Sequence, residues 1–166
     1  IEKTRLCQEL GVKPQIGVYS DGDIDNADRY LIKSGLIDSP SFWIILPTLP
    51  GGTPMHSPRQ MIKNLMHSVE SIYDVDPDAI IVVCASGRAS SYLATAAILL
   101  GLHIRVGMED TIWKYPHKDE KIVSNAECFK TYKTIAACLG REVATGDDYR
   151  SLIGLPTRGD GKPAAA

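Results

Sequence analysis

No apolar run in this 166-residue chain is long enough to cross a bilayer. Runs such as Ile44 to Pro47 and Ala79 to Ala85 fall far short of a span, which needs about 20 apolar residues. No signal-peptide pattern opens the chain, and Ile1 stands where a start methionine would, so a segment cut away upstream is expected. There is no basic excess either: eighteen Lys plus Arg meet twenty Asp plus Glu, for a net charge of -2. Without a basic stripe, nucleic acid and anionic membranes are excluded as partners. The four cysteines, Cys7, Cys84, Cys128 and Cys138, form no CxxC pair, and each lies in an apolar stretch. A disulfide framework and a thiolate zinc site are set aside; free, mostly buried thiols in a reducing cytoplasm fit better. His56, His67, His103 and His117 are scattered, with neither an HxH nor an HExxH spacing.

What is there is alternation. Ile1 to Leu10 reads as the end of a helix closed by Gly11, and Gln15 to Tyr19 as a strand. Ile24 to Ser34 is helical, with Gly35 as its stop. Ser41 to Leu46 is a strand, followed by a Pro- and Gly-rich loop from Pro47 to Pro54. Ser57 caps a helix with Pro58 at its first position, running to Tyr73. Ala79 to Cys84 is a third strand covered on both faces, and Ser90 to Leu100 an Ala- and Leu-rich helix ending at Gly101. His103 to Met108 reads as the fourth strand. Ser124, with Glu127 three residues on, opens a helix to Leu139, and Asp147 to Leu152 makes a short last one. Residues 1–155 form one unit without a linker, and 156–166 is expected to be a disordered tail. Such alternation predicts a parallel sheet with helical crossovers. The pattern admits both a small doubly wound domain and half of an eight-stranded barrel.

The fourth strand carries charge. Ile104, Val106 and Met108 alternate with His103, Arg105, Gly107 and Glu109, so the second set turns away from the helices and inward. A charge buried there must pair or bind a metal, and an internal Arg105–Glu109 ion pair accounts for the pattern as well as a site does. Adjacent Glu109 and Asp110 are expected to diverge, and on a regular strand Arg105 lies about 13 Å deeper than Glu109. Ser86-Gly87-Arg88, between a strand and a helix, offers N–H groups and a bidentate guanidinium to a carboxylate or phosphate. His67 reads as a surface residue, whereas His117, in the Trp113 to His117 loop, is within reach of a ligand.

Arg105-Val106-Gly107-Met108-Glu109-Asp110, with Gly87-Arg88 upstream, resembles the signature of the β-keto acid cleavage enzyme family. Gly11 to Pro14, Pro50 to Gly52, Ser124 to Glu127 and Gly140 to Thr145 extend the resemblance in order, up to Leu155. It implies a (β/α)₈ TIM barrel of which this chain supplies about the last four β/α units. It also implies a reaction of a β-keto acid with acetyl-CoA, giving acetoacetate and a new acyl-CoA. The family's zinc ligand maps to Glu109, its general base to Asp110 and its catalytic arginine to Arg105; the anion-suited loop Ser86, Gly87 and Arg88 is expected to bind the acetyl-CoA co-substrate.

The chain departs from the family at two places. The family's two zinc histidines form an HxH pair that is absent, so they are expected in an N-terminal half of the same barrel. An acidic residue, an aspartate and a histidine of the family are replaced by Gly17, Ser20 and Asp23, which bears on substrate choice. A divergent metal-dependent lyase or hydrolase and a non-catalytic binding protein are the alternatives. A homo-oligomer is expected, since half a barrel has two open edges.

Overall fold

The structure, a computed structural model, describes residues 1–47 and 57–158. The elements run α1 (Glu2–Glu9), β1 (Ile16–Val18), α2 (Asp21–Ala27), β2 (Phe42–Ile45), α3 (Pro58–Val75), β3 (Ile80–Val83), α4 (Ser90–Leu99), β4 (His103–Ile104), β5 (Trp113–Tyr115), β6 (Lys118–Lys121), α5 (Asn125–Cys138) and α6 (Gly146–Leu152). A π-helical turn, Asp28–Ile32, prolongs α2, and Gly35 ends it at φ 71°. Gly101, at φ 82°, likewise ends α4; both reversals lie in the left-handed region that glycine enters without Cβ strain.

The four strands β1 to β4 form one parallel sheet in sequential order. Each crossover steps to the next neighbour in the same direction. A doubly wound sheet instead reverses direction at a switch point, and no reversal occurs among the described residues.

Strand alternation sends Ile16, Val18, Trp43, Ile45, Ile81 and Val83 to one face. There they meet Met61, Leu65, Val69 and Ile72, the i, i+4, i+8, i+11 stripe of α3, together with Ile24 of α2 and Leu93 and Ala97 of α4. Trp43 is fully buried at the centre of this layer. Phe42, Ile44, Ile80, Val82 and Cys84 occupy the other face, where Ile153 and Leu155 cover them. The Tyr149 ring also meets Phe42 edge-on, with centroids 6.2 Å apart. The C-terminal segment thus folds back over the sheet.

Three expectations need correction. The fourth strand is only His103–Ile104, because the chain turns at Gly107. The expected polar loop after Asp110 is in part an antiparallel hairpin, β5–β6. Of the cysteines, Cys84 and Cys128 are buried, but Cys7 is half-buried and Cys138 exposed. The Pro47 to Pro54 loop beyond Pro47, His56, and the tail beyond Arg158 lie outside the described residues.

Candidate active site

Arg105 makes the last rung of the sheet, its N–H donating to the Val83 carbonyl at 3.0 Å. The chain then folds over: the N–H groups of Asp110 and Thr111 both donate to the Gly107 carbonyl at 3.1 Å. Two outside contacts fix this turn. The Asn125 side chain, at the start of α5, accepts from the Met108 N–H at 2.8 Å. A Cβ on Gly107 would sit 3.2 Å from the Asn125 Oδ1, so glycine admits that approach. From the other side, the Gly87 N–H donates to the Asp110 carbonyl at 2.8 Å, tying the loop after β3 to the turn after β4.

The turn brings three charges together. The Arg105 Nη2 lies 2.6 Å from Glu109 Oε2 and 3.1 Å from Asp110 Oδ1. The 13 Å depth difference of a regular strand is therefore absent, and the two carboxylates converge on one guanidinium instead of diverging. Inward-facing Glu109 is also corrected: its side chain is 84% exposed, that of Asp110 only 8%, and that of Arg105 43%. The exposed Arg105–Glu109 pair contributes little to stability, so it does not explain the cluster as an internal structural pair.

Cys84 joins the cluster from β3. Burial first, then the negative charge of Asp110, pushes its thiol up to about 12. Sequence reading passed over it as a core cysteine. The signal was its parity: Ile80, Val82 and Cys84 share the face on which Arg105 begins the next strand end.

The Ser86-Gly87-Arg88 loop sits beside the turn, but Arg88 is not an open clamp. Its guanidinium stacks 3.9 Å from the Trp113 ring centroid, donates to the Lys118 carbonyl at 3.0 Å and pairs with Asp119. His117 contacts the Tyr92 hydroxyl and packs edge-on against that ring. Lys114 bridges Glu120 and Glu127 at 2.9 Å each. The hairpin is thereby pinned beside the site.

At the β1 end the departing residues behave differently. The Asp23 carboxylate accepts from the Tyr19 and Ser20 N–H groups at 2.9 and 2.8 Å, capping α2. A Cβ on Gly17 would meet the Tyr19 ring at 3.4 Å, an ordinary contact. His67, exposed as expected, lies 3.4 Å from Asp21. A cleft of about 610 Å³ runs along β4, lined among others by Val82, His103, Arg105, Tyr132 and Arg141.

The chain as a whole matches a known family. Residues 2–155 match the sequence profile of the beta-keto acid cleavage enzymes. The chain belongs to that family. It is 36% identical over 152 residues to the 3-keto-5-aminohexanoate cleavage enzyme of Fusobacterium nucleatum, covering 91% of this chain and 51% of that protein. The enzyme of the same name from Acetoanaerobium sticklandii is 33% identical over 145 residues, covering 87% and 49%. The 3-dehydrocarnitine:acetyl-CoA trimethylamine transferase of Rhizobium meliloti is 25% identical, with 95% and 48% covered. The chain thus spans about half the length of the curated relatives it matches. Among solved structures, apo ObcA superposes with a TM-score of 0.68 at 18% identity, covering 93% of this chain and 39% of that one. A ternary complex of ObcA with a C4-CoA adduct and oxalate gives the same score and identity, with 93% and 40% covered. The likeness is one of fold.

Proposed function

We propose that residues 1–155 form the C-terminal half of a (β/α)₈ barrel whose reaction converts a β-keto acid and acetyl-CoA into acetoacetate and a new acyl-CoA. The observation that carries this is the convergence of Glu109 and Asp110 on Arg105 at the C-terminal ends of parallel strands, where barrel enzymes build their sites. Sequential strand order and a match to about half the length of each relative support the half-barrel reading.

The residues at hand fit a metal only in part. Glu109 is an exposed carboxylate at the mouth, but no group of three His, Cys, Asp or Glu side chains suited to a metal exists among the described residues. A catalytic zinc keeps three protein ligands and an open position; we assign one of them to Glu109 and the other two to the N-terminal half of the barrel. When bound, zinc supplies Lewis-acid polarisation of the substrate ketone.

The chain's own residues then have distinct tasks. Asp110 takes the proton from the carbon between the two carbonyls. Arg105, already balancing both carboxylates, offsets the negative charge that develops nearby. The carbanion attacks the acetyl carbonyl and the C–S bond breaks, releasing CoA thiolate. The thiolate then attacks the original ketone, and the C–C bond beside it breaks to leave a new acyl-CoA. The departing acetoacetate carbanion takes back the proton held by Asp110. We assign Ser86, Gly87 and Arg88 to the acetyl-CoA side, Arg88 acting through the hairpin it holds.

Two measurements test this reading. The assembled barrel releases acetoacetate from at least one member of a panel of β-keto acids supplied with acetyl-CoA, and no release from any member overturns the activity. Zinc content is stoichiometric only with the N-terminal half present, and Glu109→Gln lowers it. Equal, tight zinc binding by residues 1–166 alone contradicts the ligand assignment.

A further inference from the structure

The register of the parallel sheet continues one step past its last paired row. Val18, Ile45, Val83 and Ile104 lie side by side. The N–H groups of Leu46, Cys84 and Arg105 then donate to the Val18, Ile45 and Val83 carbonyls at 2.8, 2.9 and 3.0 Å. Tyr19, Leu46, Cys84 and Arg105 therefore form one row across the four strands, on the face opposite the α3 layer. Leu46 packs on the apolar cluster of Ile44, Val82 and Cys84, and Tyr19 is half exposed. Gly17, one step below, leaves the wall without a side chain of its own. A Cβ there would meet Tyr19 Cε2 at 3.4 Å and Leu46 Cδ1 at 3.8 Å, so both side chains stand on this face. The row holds no carboxylate. Just after β1, Asp23 accepts from the Tyr19 and Ser20 N–H groups, and Asp21 lies 3.4 Å from His67.

We infer that this row determines which keto acid is taken, Leu46 and Tyr19 receiving an uncharged, apolar substituent on its ketone. The inference rests on the reaction proposed above and names the substrate class. With Asp110 and Arg105 at the β4 end, a substituent running across the sheet reaches Leu46 about 10 Å from Arg105, two strand spacings away, and Tyr19 one spacing further. Each methylene covered by these side chains favours binding. An ammonium laid against them meets no counter-charge on the row, and an unpaired buried charge is costly.

The test uses the assembled enzyme, acetyl-CoA and a matched pair of substrates, 3-ketohexanoate and its 5-amino derivative, with acetoacetate release as the readout. The parent prefers the uncharged member in kcat/KM by at least about 10-fold. Gly17→Asp sets a carboxylate beside Tyr19 and Leu46 and shifts that ratio about 10-fold toward the amino substrate. Leu46→Ala lowers kcat/KM for 3-ketohexanoate about 10-fold, mainly through KM, and narrows the ratio from the other side. Each ratio is taken within one variant, so a lower yield of folded protein does not move it. A parent preference below about 10-fold, or a ratio unchanged in either variant, overturns the inference and leaves the reaction standing. So does release from another β-keto acid of the panel with none from 3-ketohexanoate. No release from any member overturns the reaction itself, so the two failures are distinguishable.

Discussion

Two nearly buried carboxylates, at opposite ends of the same sheet, have opposite surroundings. Asp76, 4% exposed beneath the N-terminal ends of β2 and β3, takes two donors on each oxygen. Ser39 Oγ and the Asp78 N–H reach Oδ1 at 2.8 and 3.2 Å, and the Ser41 N–H and Oγ reach Oδ2 at 2.7 and 2.5 Å. A carboxylate offers about four lone-pair sites, so Asp76 is filled by its own fold. Asp110, at the C-terminal ends, meets with its side chain a guanidinium that it shares with Glu109. Its backbone, by contrast, is bonded at both N–H and carbonyl. Where side chains serve the backbone, the result is architecture; where the backbone is served by others, the side chains remain available to a ligand. Asp23 belongs with Asp76, since its carboxylate accepts from two backbone N–H groups.

The contrast can be broken by substitution. Asp76→Asn has the largest expected effect on stability. It leaves the buried Ser41 N–H facing an amide, and loss of hydrogen bonds to a charged group costs about 1.5–3 kcal/mol. Denaturant unfolding should show that loss, with turnover per folded molecule unchanged. Although burial opposes it, hydrogen bonding by Ser41 and Ser39 holds the Asp76 carboxyl below its ordinary 3.8. Its contribution is therefore complete above that value and is lost as pH falls through the lower folded value, so the gap between parent and variant closes in acid. Asp23→Ala removes a helix cap, with an expected cost of about 1 kcal/mol, again in thermal unfolding and not in turnover. A large turnover loss would move Asp23 into the site.

Arg88→Ala is the mildest. An exposed cation–π contact contributes roughly 0.5–1 kcal/mol, so global stability barely changes. Amide exchange in β5 and β6 accelerates while that in β2 and β3 does not. Uniform exchange would show that the hairpin is held by other contacts.

The alternation of strands and helices was legible because β2 and β3 are unbroken apolar runs and the helices carry caps and terminal glycines. The sequential strand order was not, since pairing depends on which helical faces meet the sheet. Parity failed beyond Ile104. Treating Arg105 to Glu109 as regular strand puts Glu109 inside, but Asn125 and Gly107 bend the chain and reset the parity, so Asp110 is the protected carboxylate. No local pattern announces a partner seventeen residues downstream. The hairpin escaped notice because Lys118-Asp119-Glu120-Lys121 is poor in strand formers, and its stability comes from Arg88 and Lys114. Arg88 looked like a clamp from sequence because its partners in the hairpin lie thirty residues away.

The central claim is that Asp110 is the base, and one comparison tests it most directly. Acetoacetate release from an accepted β-keto acid with acetyl-CoA is measured for the assembled parent enzyme and for Asp110→Asn, alongside their unfolding midpoints and zinc content. General-base catalysis contributes about 10²–10⁴-fold, so turnover should fall by that range while the midpoint and bound zinc stay at parent values. Parent-level turnover in Asp110→Asn would contradict the mechanism and return Asp110 to the structural class of Asp76.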